Sequence, residues 1–164
     1  MRNVLLSAAL VLASAGAAAA TSAAPSLKAI VGATVVNIDG GPALQDAVVL
    51  IEGEKIKAIG PAGTAVPANA EVIRAKGTWL IPGLMNMHVH FGLKLPGRDR
   101  AELAEESTAA LTLRMMVNAR QSLYAGVTTV RMTGSEGNTG VAVRDAIARG
   151  DYEGPRVYTA AASR

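Results

Sequence analysis

The run Leu84-Met85-Asn86-Met87-His88-Val89-His90 is preceded by Ile81-Pro82-Gly83 and followed by Phe91-Gly92. Proline and glycine punctuate local structure, so the run reads as a strand that ends in two histidines. These are the only histidines in the chain. Residues two apart on a strand point to the same face. The C-terminal end of a strand is where parallel α/β folds place their chemistry. Neutral imidazole is the commonest metal ligand; a converging pair suits Zn²⁺, and Mn²⁺, Fe²⁺, Co²⁺ or Ni²⁺ are compatible. Paired strand histidines also serve as plain surface or packing residues, and the tripeptide alone leaves both readings open.

Downstream, a long helix is expected from about Arg100 to Ala125, because Leu111, Met115, Ala119 and Leu123 recur four apart as one apolar stripe. Gly126 stands where a helix-terminating glycine belongs. Val127-Thr128-Thr129-Val130 is β-branched without polar alternation, as in a buried parallel strand. A glycine-rich loop, Gly134–Gly140, leads to a short helix over Val141–Arg149, for which Thr139 is the expected N-cap. Gly154-Pro155 then turns the chain into a third strand, Arg156–Ala160. The order β-α-β-α-β is the start of a parallel α/β architecture.

Upstream the pattern is β. Strands are expected at Ile30–Ile38, Ala47–Ile51, Lys55–Ile59 and Glu71–Ala75. Asp39-Gly40-Gly41-Pro42 and Glu52-Gly53-Glu54 are the turns, and the second and third strands read as a hairpin. Alternation in Lys55-Ile56-Lys57-Ala58-Ile59 predicts a half-buried strand. Residues 29–80 thus form a small all-β unit, preceded by a flexible stretch, 21–28. Residues 1–20 read as a secretory signal: Arg2 supplies the charge, Leu5–Ala13 the apolar segment, and Ala18-Ala19-Ala20 the small-residue cleavage site. The apolar segment falls short of the about 20 residues a membrane span needs. The implied compartment is the bacterial periplasm or exterior, with no membrane partner after cleavage.

Composition narrows the chemistry. The 164 residues contain no cysteine, which excludes disulfides, thiolate metal sites and lipid attachment at cysteine. A net charge of +3 without a basic run gives no electrostatic footprint for nucleic acid. Aromatic residues make up 3%, too few for stacking platforms, so the core is built from Ala, Val, Leu, Ile and Met.

Ile81-Pro82-Gly83-Leu84-Met85-Asn86-Met87-His88-Val89-His90-Phe91-Gly92 resembles the signature of the amidohydrolase superfamily, in which it forms the first strand of a (β/α)8 barrel. Ala125-Gly126-Val127-Thr128-Thr129-Val130-Arg131 resembles that family's second barrel strand. Gly154-Pro155-Arg156-Val157 resembles the start of the third, in the imidazolonepropionase-like and prolidase-like branch. The β unit resembles half of the family's small β-sandwich. Together these cover residues 29–162 in the right order. The resemblance implies an α/β fold with His88 and His90 as the first two ligands of one or two divalent ions, Zn²⁺ first among them. It also implies hydrolysis of a C–N bond in a small-molecule amide, cyclic amide or dipeptide by a metal-activated water. Asn86 stands where the family usually has Asp, and Met132 where the branch has Asp after Arg131; neither position is a metal ligand in the family.

Leu84–Arg164 accommodates two to three β/α steps at about 30 residues each, whereas a whole barrel takes about 250. With two histidines and no lysine on a candidate fourth strand, the chain reads as an N-terminal portion holding no catalytic residue of its own. Two other readings stand beside the hydrolase: a catalytically inactive exported remnant, and a small β binding module. An unpaired strand edge near Val157 and an uncovered helix face predict self-association. Among remaining candidates, Gly134–Gly140 lacks the spacing of a phosphate-binding loop. Glu102, Glu105 and Glu106 are expected in the first turns of the long helix, facing solvent. Arg131 could reach a substrate carboxylate or form a structural pair.

Overall fold

The structure is a computed structural model that describes residues 25–94 and 106–160. The expected signal segment, 1–20, lies outside the described residues, as do Glu102 and Glu105. No helix among the described residues is long and apolar enough to cross a membrane. The chain divides into two compact units, residues 1–80 and 81–164.

Among the described residues the first unit is one sheet of five strands: β1 (Leu27–Val35), β2 (Leu44–Glu52), β3 (Lys55–Gly60), β4 (Glu71–Arg74) and β5 (Trp79–Leu80). β1 is central. It pairs antiparallel with β2, which forms the expected hairpin with β3. Along its other edge β1 takes β4 in parallel over Lys28–Val31 and then β5 over Thr34–Val35. The handover coincides with Gly32, whose φ of +89° favours a residue without Cβ, and which faces the Lys76 backbone. Small and β-branched residues fill the buried centre: Ala29, Ala33, Ala47, Val48 and Val49. β3 departs from expectation. Lys55–Ile59 is exposed throughout, with Ile56 at 64% and Ile59 at 50%. The alternation is present, but β3 lies at the sheet edge and no described layer of this unit covers its apolar face.

The second unit has three parallel strands in the order β6 (Leu84–Val89), β7 (Val127–Met132) and β8 (Arg156–Thr159). Among the described residues the connecting helices are α1 (Thr108–Tyr124) and α2 (Thr139–Ala148). Phe91, Met115, Ala119, Val130, Met132, Val143 and Val157 form its core. The predicted stripe on α1 supplies Met115 and Ala119 fully buried, with Leu111 packed beside them. Gly126 follows α1 with φ +88°, and its N–H donates to the Leu123 carbonyl at 2.9 Å, which ends the helix as predicted. At the same end the Tyr124 hydroxyl donates to Glu153 Oε2 at 2.7 Å; the carboxylate holds the Tyr124 phenol above its usual pKa.

Four local expectations change. The described helix starts at Thr108, because the Ser107 side chain accepts from the Ala110 N–H at 3.2 Å and caps it; the expected beginning near Arg100 lies outside the described residues. Glu106 therefore precedes the helix, and it is no solvent-facing residue: its side chain is 16% exposed and ion-paired with Arg114 and Lys94. At α2 the N-cap is Asn138; Thr139 is the first helical residue, buried, its hydroxyl donating back to the Glu136 carbonyl at 2.7 Å. β7 is covered unevenly: Val130 and Met132 are buried, whereas Thr128 on the same face and Arg131 on the other are exposed. Met132, where the resembled branch has Asp, is thus a core residue.

Candidate metal centre

β6 is mostly apolar in sequence yet exposed along nearly its whole length, with Met85 at 72% and Met87 at 47%. Its pairing with β7 shifts register between Asn86 and Val89. Within that irregularity the Asn86 side-chain oxygen accepts from the His88 N–H at 3.0 Å. His88 is the penultimate residue of β6, and His90 directly follows the strand. Both are exposed. Their rings meet edge to face, with centroids 5.2 Å apart and planes at 61°. The Nε2 atoms are the point of convergence, 3.2 Å apart.

Neutral imidazoles can share one proton across such a gap, one nitrogen donating and one accepting. A cation can instead take both lone pairs. For ligand bonds of about 2.0–2.1 Å at a tetrahedral centre, two nitrogens lie about 3.3 Å apart. The observed 3.2 Å fits that edge. The Nε2 lone pairs are available when each ring carries its proton on Nδ1. The pair supplies two neutral donors; among the described residues no group of three or more His, Cys, Asp or Glu side chains comes together to hold a metal. A cation here would take its remaining positions from water or other donors.

Thr133, just beyond β7, places its hydroxyl 3.3 Å from His90 Nε2, and its N–H donates to the Val89 carbonyl at 3.3 Å. Arg131 Nε donates to the Met87 carbonyl at 2.9 Å, so this guanidinium is tied to β6 backbone. Together with Asn86, these residues surround the pair with hydrogen-bonding groups from two neighbouring strand ends. A cavity of about 590 Å³ opens beside it, lined by Asn86, His88, His90 and, from α1, Asn118, Gln121 and Ser122. Sequence reasoning passed over Thr133, Asn118 and Arg114. The available signal was position: Arg114 and Asn118 each directly precede a residue of the α1 stripe, and Thr133 closes the run that follows Gly126.

Parallel strands joined by helices, with a nitrogen pair at the C-terminal end of the first, define an α/β protein that keeps its polar groups at the strand ends. Comparison with known proteins gives this class a family. The dihydroorotase of Staphylococcus epidermidis is 42% identical over 67 residues, which amount to 41% of this chain and 15% of that protein. The structure of molinate hydrolase superposes with a TM-score of 0.73 and 32% identity, over 85% of this chain and 30% of the other. A Xaa-Pro dipeptidase superposes with a TM-score of 0.69 and 25% identity, over 84% of this chain and 34% of the other. No protein-family model matches the chain. These similarities support the amidohydrolase superfamily, and the chain corresponds to the N-terminal part of these relatives. It spans about a third of the solved structures it resembles, and the sequence match to dihydroorotase spans far less.

Proposed function

We propose that this chain contributes the first two metal ligands, His88 and His90, to a hydrolase that cleaves a C–N bond in a small amide, cyclic amide or dipeptide. The observation that carries the reading is the 3.2 Å approach of the two Nε2 atoms at the end of β6. Similarity to hydrolases of that superfamily supports the reaction class. A divalent cation, Zn²⁺ first, would supply Lewis-acid activation of water and of the scissile carbonyl. The chain's own part is to hold the two nitrogens, deprotonated at Nε2, at the right spacing. Asn86, Thr133 and Arg131 fix the surrounding strand ends. The β sheet of residues 27–80 is proposed as half of a β-sandwich, and β6–β8 as the first strands of a (β/α)8 barrel.

With two donors in hand, the 164 residues alone are proposed to bind the cation weakly and not to turn over substrate. Export through the 1–20 signal, a periplasmic or secreted location and a small-molecule substrate complete the proposal. No nucleic-acid or membrane partner is included. The test is isothermal titration of the full chain with Zn²⁺. Binding is expected for the native sequence and is expected to vanish in His88→Ala and in His90→Ala, with circular dichroism unchanged because both side chains are exposed. Binding equal in all three proteins would remove the metal site.

A further inference from the structure

The turn that follows His90 is held in an unusual way. Its own closing bond runs from the Leu93 N–H to the His90 carbonyl at 3.1 Å. The next three carbonyls, Phe91, Gly92 and Leu93, all accept from α1. Asn118 Nδ2 donates to Phe91 at 2.7 Å and to Leu93 at 3.1 Å, and Arg114 Nε donates to Gly92 at 3.0 Å. The two donors are four residues apart, one helical turn, so they rise from one face of α1. Arg114 is fixed in turn by Glu106, which also meets Lys94 at 3.5 Å, directly beyond the clamped turn. Phe91 buries its ring in the core, 4% exposed. His90 is therefore bounded on one side by β6, held through the Thr133 N–H, and on the other by a turn with no free carbonyl.

We infer that Asn118 and Arg114 are positioning residues for His90: by clamping the Phe91–Leu93 carbonyls they set the backbone from which His90 Nε2 meets His88 Nε2. The inference rests on the metal-site reading above. Partners one step removed from a ligand commonly alter metal affinity by about 10- to 100-fold. The same hydrogen bonds would be present if Asn118 were merely a helix-to-loop anchor, so the test must separate position from stability.

Zn²⁺ affinity is measured by titration of the full chain and its variants, at a temperature where circular dichroism shows each one folded. Asn118→Leu keeps the size and helix preference but has no donor. It is expected to weaken Zn²⁺ binding by about ten-fold or more. Arg114→Lys keeps the charge opposite Glu106 but loses the fixed Nε donor, and is expected to weaken binding in the same direction by less. Val143→Ala, in the core on α2 and without a hydrogen bond to the turn, is the control for lost stability; its affinity is expected to stay native. Native affinity in Asn118→Leu, or an equal loss in Val143→Ala, overturns the inference. Binding that survives His88→Ala and His90→Ala overturns the metal site beneath it, and is recognised separately because it concerns the ligands themselves.

Discussion

His88 and His90 stand two residues apart but are held differently. His88 has the Asn86 side chain against its N–H. His90 has Thr133 against its ring and a clamped turn after it. The pair was legible in sequence because two polar residues at strand spacing in an apolar run form a local pattern. Arg114 and Asn118 were not, because their acceptors are backbone carbonyls 22 to 27 residues away, and a carbonyl has no sequence signature. Glu106 was misread for a related reason: its partner Arg114 becomes its neighbour only when Ser107 starts the helix between them. The Arg114 guanidinium, hydrogen-bonded to Glu106, holds the carboxyl below the usual carboxylate range. A lowered folded pKa gives stability that is present above the unfolded value and is lost as pH falls through the folded one. The native chain is therefore expected to melt above Glu106→Gln at neutral pH, with the difference closing on acidification. A difference that stays constant with pH would mean the pair contributes no linkage.

At the level of elements, strands and helices were legible wherever hydrophobic period and turn residues agreed. The hairpin of β2 and β3, the three parallel strands and the glycine after α1 all follow that rule. Burial was less legible. Period-two alternation in β3 and unbroken β-branching in β7 describe which faces could be covered, whereas coverage depends on what else packs there. Gly83 shows how a close approach is written into sequence without being readable from it. It precedes β6, and a Cβ added there would overlap the Oγ1, Cγ2 and Cβ atoms of Thr128 on β7. Because the clash reaches the Thr128 Cβ, rotation of the side chain alone does not relieve it. Gly83→Ala is expected to destabilise the chain by about 1–3 kcal/mol, as overpacking does. Chemical denaturation of the two proteins measures it, and equal midpoints would show that the β6–β7 contact yields without cost.

On the scale of the whole molecule, apolar area remains uncovered. Ile81, Leu84, Met85 and Met87 are each about half exposed or more, and Tyr158 on β8 is 56% exposed. Contiguous exposed apolar strands favour association. Size-exclusion chromatography is expected to show concentration-dependent oligomers; a sharp monomer peak at all concentrations would count against this. The methionines carry a further consequence. With no cysteine in the chain, oxidant attack on sulfur falls on six methionines alone. Met85 and Met87 lie open on β6, whereas Met115 and Met132 are 1% and 0% exposed. Sulfoxide on the open pair adds polarity where water already is. Met115 and Met132 meet oxidant only when the α/β unit opens, and a sulfoxide formed there is polar and cannot return to a closed core without cost. In an oxidising medium the protein is therefore lost one opened molecule at a time, at a rate that follows how much of that unit stands open.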